Sequence, residues 1–191
     1  MSSKLLITEM NGTPPQICFR DVTDFSPTAA NDLRFGSPTL VQLDLTGVTN
    51  TSWWQSTKFN FGANRAEYYN IRAALEFAAT PIAGEYCDLY LAWSQSGTAG
   101  TGNAGGVSGA DSAYTGYSAN AVASAKQLDY IGRLVVTAQA TATIQIIDSG
   151  LVFLCRERYA TLVFDNESDA TMHSDMVESN IVFDPIVPLA L

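Results

Sequence analysis

From Ala66 to Ser96 apolar and polar positions alternate with a period of two. Tyr69, Ile71, Ala73, Leu75 and Phe77 alternate with Tyr68, Asn70, Arg72, Ala74 and Glu76, and Cys87, Leu89, Leu91 and Trp93 alternate with Tyr86, Asp88, Tyr90 and Ala92. Successive side chains of a strand point to opposite faces, so this pattern predicts two half-buried strands joined by the Pro81–Gly84 turn. Within residues 66–79 alone, Tyr68, Ile71, Leu75 and Ala78 also fit one face of a helix, and periodicity does not separate the two readings.

The same reasoning extends outward. A strand is predicted around Leu40–Leu45, another over Ser52–Phe61, and then a dense series over Tyr130–Ala138, Ala142–Ile147, Gly150–Arg156 and Tyr159–Asp165. Asp148-Ser149-Gly150 reads as a tight turn, and Asn180–Val187 as a closing strand with Pro185 and Pro188 at a bulge or edge. Residues 1–37 carry short apolar pieces among prolines and read as an N-terminal extended arm. Such an arm either grips a neighbouring subunit or packs locally. Residues 97–125 are a long Gly/Ala/Ser/Thr segment with few bulky apolar residues, expected to project or to be covered by a partner. Many short strands, one long Gly-rich loop and no helix–strand alternation predict an all-β chain, an antiparallel jelly-roll-like β-sandwich over 38–191.

Charge narrows the partners. A net charge of −9 with only ten Lys and Arg, scattered, argues against nucleic acid and against an anionic membrane surface. Charged residues make up 15% of the chain, below the roughly 25% of ordinary globular proteins, which hints at a partner-covered surface. No apolar run reaches the roughly 20 residues of a membrane-spanning helix. Cys18, Cys87 and Cys155 are odd in number and far apart, so three free thiols in a reducing compartment are expected rather than a disulfide framework or zinc site.

Candidate chemistry is sparse, and neither a cofactor nor a metal is expected. Gly100–Gly105 matches G-x-G-x-x-G, but a dinucleotide site needs a helix opening at those glycines, and more glycine follows. Gly106-Val107-Ser108-Gly109-Ala110 approaches a nucleophile elbow without its last glycine, with His173 as the only base on offer. Asp165, Glu167 and Asp169 could offer oxygen ligands to Ca²⁺, but the spacing of a calcium loop is missing. Trp53 and Trp54 are adjacent, so on a strand they face opposite ways and one is expected at the surface or at an interface.

Several pieces resemble tailed-phage jelly-roll virion proteins. The strand opening at Arg65–Asn70, the Pro81–Gly84 turn, Asp88–Ser94 running into the glycine loop, Arg158–Asn166 and Asn180–Phe183 together carry the likeness. The resemblance favours strand over helix for residues 66–79. It implies a capsid decoration (cement) or head-associated protein without enzymatic activity, commonly a homotrimer, on the capsid exterior after assembly in the host cytoplasm. The major capsid protein and further copies of the chain would be its partners. The candidate interface residues are Leu5, Ile7, Ile17, Phe19 and Phe35 in the arm, Trp53 and Trp54, and Tyr114 and Tyr117 in the loop. The chain departs from the group in its long arm and at Trp93, where proline is commoner. Two other function classes stand beside this one: a tail or head-fibre module recognising host-surface glycans through Trp and Tyr, and a hydrolase using Ser108 or an acidic pair.

Overall fold

A computed structural model describes residues 14–187. The chain forms an all-β sandwich of two sheets. In chain order its strands are β1 (Ile17–Arg20), β2 (Thr39–Gln42), β3 (Ser52–Gln55), β4 (Phe59–Asn60), β5 (Tyr68–Leu75), β6 (Tyr86–Ser94), β7 (Ser112–Ala113), β8 (Asp129–Val135), β9 (Gln145–Leu154), β10 (Tyr159–Glu167) and β11 (Asn180–Ile186). The first sheet runs β2-β1-β11-β5-β9. The second runs β7-β3-β10-β6-β8, with β4 also paired to β10. Every pairing is antiparallel except β1 with β2.

The alternating positions do what their pattern predicts. Tyr69, Ile71, Ala73 and Leu75 of β5 and Cys87, Leu89 and Leu91 of β6 are all buried between the sheets. Residues 68–75 are strand, because β5 is paired on both sides, to β11 and β9, and a helix could not satisfy either ladder. At the centre Phe183 packs edge-on against Phe19 and Phe153, at 4.7 and 4.8 Å between ring centroids, and Phe153 stacks on Tyr69 at 5.7 Å.

Four expectations are corrected. Ile17 and Phe19, named as interface candidates in an arm outside the sandwich, are 0% and 1% exposed in β1, which lies between β2 and β11. The predicted strand Ser52–Phe61 is two strands, β3 and β4, broken where the Ser56 hydroxyl bonds the Thr57 carbonyl; both pieces pair with β10. Asp148-Ser149-Gly150 is not a hairpin turn. It lies inside the continuous β9, where the register against β5 jumps from Asn70/Val152 to Arg72/Asp148, so Ser149–Leu151 bulge opposite Ile71. Gly150 adopts φ +64° there, which glycine takes without steric cost.

The fourth correction concerns the glycine-rich segment, which does not project. It folds back over the outer face of the second sheet, where Val107, Tyr114 and Ala125 pack with Ala92 and Val163. Poor in apolar side chains, it is fastened by polar groups aimed at its backbone. Tyr114 donates to the Gly105 carbonyl at 2.6 Å, Asn103 Nδ2 to Ala99 and Val107, and the Ser108 N–H to Gln55 Oε1. Lys58 Nζ reaches Ser94 Oγ and the carbonyls of Ser96, Thr98 and Thr101. As a result β10 is buried on both faces from Ala160 to Asn166. On the other sheet, Leu33 and Ile144 cover Cys18, Val182 and Ala74 in the same manner.

Candidate functional site

The nine candidate interface residues separate into distinct groups. Leu5 and Ile7 lie outside the described residues. Ile17, Phe19 and Tyr114 are core: Tyr114 is 3% exposed and packs against Trp53 at 6.0 Å. Phe35 and Tyr117 are surface residues, 51% and 54% exposed. Trp53 and Trp54 do face opposite ways, and both are half-buried. Trp54 packs on the central core and donates its indole N–H to Asp111 at 2.8 Å, whereas Trp53 lies on the outer side against Tyr90 at 5.5 Å.

Sequence reasoning missed an open apolar surface on the first sheet. Ile186 of β11, Tyr68 of β5 and Leu154 of β9 are in register across three neighbouring strands, and Val152 follows one outer position along β9. Their alternates Tyr69 and Phe153 point into the core, so these four share the outer face of the first sheet, at 40%, 43%, 44% and 51% exposure in that order. Cross-strand neighbours sit about 5 Å apart, so they make one contiguous apolar strip. The Arg72–Asp184 ion pair closes its inner border. Gln16 donates to Asp184 and accepts from the Phe35 N–H, which anchors the backbone at Phe35 beside the same sheet. The alternation in β5 and β11 contains this signal, but only the register brings the residues together.

The outer face of the second sheet holds the most perturbed acid. Asp165 of β10 is flanked in register by Trp53 on β3 and Asp88 on β6. It is 5% exposed, and its Oδ1 makes no hydrogen bond among the described residues. Arg133 on β8 is committed to Asp88, through two bonds of 2.7 Å. Burial first, then the neighbouring charges of Glu167 and Asp88, push the Asp165 carboxyl up to about 7.

No family model matches the chain, and neither a curated protein nor a solved structure matches it.

The remaining candidates are dispersed. Among the described residues Ser108 Oγ accepts the Ala110 N–H, His173 lies 3.7 Å from Glu76, and no hydrogen bond joins Ser108 to His173. Among the described residues no group of three or more His, Cys, Asp or Glu side chains could hold a metal ion. The three cysteines are free, and burial raises each thiol above its ordinary value.

Proposed function

We propose that this chain is a structural virion protein of a tailed phage, a jelly-roll-type capsid decoration protein that self-associates and bridges neighbouring major capsid subunits from the capsid exterior. The observation that carries this reading is the apolar strip of Tyr68, Val152, Leu154 and Ile186. Much of the outer surface of both sheets is roofed by the protein's own loops, yet this strip is left open. A contiguous apolar patch with a polar border is what a protein–protein contact requires. Burying it across a subunit seam would add association energy without catalysis, and symmetric self-association is the ordinary outcome for such surfaces. The overall charge of −9 and the resemblance of the strand motifs to tailed-phage virion proteins favour a protein partner over nucleic acid or membrane.

Leu154→Glu places a charge in the middle of the strip. It is expected to weaken self-association and capsid binding more than roughly tenfold while folding stability changes by no more than about 0.5 kcal/mol, the usual range for surface positions. Sedimentation of the protein alone and mixed with capsids measures the association, and urea unfolding the stability. A wild-type monomer that ignores capsids would remove the proposal.

A further inference from the structure

A cleft of about 400 Å³ opens beside β3, between its first residues and the 113–121 segment. We infer that this cleft is a binding site for a neutral saccharide, with the Trp53 indole as the stacking surface.

The lining carries the chemistry. Though the chain has a net charge of −9, no described residue lining the cleft is charged. The lining combines Trp53, Trp54 and Tyr114 with hydroxyl-bearing side chains and small residues. Thr49 Oγ1 and Ser52 Oγ are hydrogen-bonded to each other at 2.6 Å, and Thr51 and Thr115 are exposed at the rim. An aromatic face with a few hydroxyls and no charge suits a ligand that has an apolar C–H face and neutral hydroxyl edges. A pyranose ring has both. An acidic sugar would find no cation here, and a cationic ligand no carboxylate.

The site is also held rigid. Trp53 is backed by Tyr90 and Tyr114, so its ring loses little freedom when a ligand stacks on it. Of the five described non-glycine residues with positive φ, Thr51 and Ala119 line the cleft and Ser118 adjoins it. A β-branched residue at φ +61° is unfavourable unless the surroundings enforce it, and such strain gathers at ligand clamps. Here the Thr51 N–H is pinned to the Asn166 carbonyl at 2.6 Å. An extended peptide fits less well, because the β3 backbone is already occupied: the Trp53 carbonyl accepts the Tyr114 N–H and the Ser52 N–H donates to Thr49.

Tryptophan fluorescence and saturation-transfer NMR with the full chain test this, using a panel of neutral di- to tetrasaccharides built from hexoses and N-acetylhexosamines. At least one member is expected to bind with a dissociation constant below roughly 10 mM, and its uronic-acid counterpart at least about tenfold more weakly. Ala113→Trp fills the cleft from an exposed position without removing a packing contact, and Trp53→Ala removes the stacking face. Both are expected to cost more than about tenfold in affinity, with Ala113→Trp leaving the thermal midpoint unchanged. That variant keeps the test valid if Trp53→Ala unfolds. Binding by no member of the panel, wild-type affinity in Ala113→Trp, or preference for an extended peptide or an acidic sugar would each overturn the inference.

Discussion

Asp165→Asn is expected to stabilise the protein at pH 8 by about 4 kcal/mol and to change stability little at pH 4. The carboxyl is pushed up to about 7 in the folded chain from an ordinary value of 3.8, because it is buried beside Glu167 and Asp88 while Arg133 is committed to Asp88. A group whose folded value is raised binds its proton more tightly when folded. Below about pH 4 both states are protonated and the site costs nothing. Stability is then lost as pH rises through the window from about 4 to about 7, by about 1.4 kcal/mol for each pH unit crossed. Asparagine keeps the shape and never ionises. Other carboxylates slope the opposite way: Asp32, held low by its bond to Arg34, and Glu178, held low by the Thr28 N–H, stabilise the fold more as pH rises. They are common to both proteins and cancel in the difference. Urea unfolding of wild type and variant across this pH range gives the difference curve. A curve flat with pH would show that Asp165 ionises freely in the folded state.

Lys58→Met is expected to release the glycine-rich segment at 96–103 and to cost about 2–3 kcal/mol of global stability. Its ammonium reaches four acceptors, at 2.7 Å to the Thr101 carbonyl, 2.8 Å to Thr98, and 3.1 Å to both the Ser96 carbonyl and Ser94 Oγ. Hydrogen bonds to a charged group are worth about 1.5–3 kcal/mol, and several converge here on backbone that has few apolar contacts of its own. Methionine preserves the stem and its packing while removing every donor. Amide exchange should accelerate at Thr98–Asn103 and stay protected in β5 and β11, since the central core is untouched. Lys126→Met, at an exposed cation on α1 (Ala121–Ala125) at its C-terminal end, serves as the control and should change neither reading. If both variants behave like wild type, packing rather than the ammonium holds the loop.

Asp165 and Lys58 hide their roles in the sequence for the same reason. Asp165 reads as the end of a predicted strand and one of three nearby carboxylates with Glu167 and Asp169, because nothing local shows that 97–125 roofs the sheet beneath it. Yet Ala160-Thr161-Leu162-Val163-Phe164 is a nearly unbroken apolar run, the pattern of a strand buried on both faces, and it is the available signal. Lys58 reads as one of ten scattered cations. Its partners are mostly main-chain carbonyls roughly forty residues away, and carbonyls are the same whatever the residue type. Tyr114 and Tyr117 sit close together in similar sequence surroundings, yet one is core and the other exposed.

The sequence alone determined the all-β class, the alternation that buries Tyr69, Ile71, Leu89 and Leu91, the strand ranges over much of the second half, and the free state of the cysteines. These follow from period-two patterning and composition, which act between near neighbours. Only the tertiary structure decided that Ile17–Arg20 is an interior strand, that the glycine-rich segment is a roof, and that Tyr68, Val152, Leu154 and Ile186 form one strip. Each depends on pairings between residues tens to more than a hundred positions apart. Local pattern says that a residue lies on one face of a strand; register and closure decide which neighbour, or what solvent, that face meets.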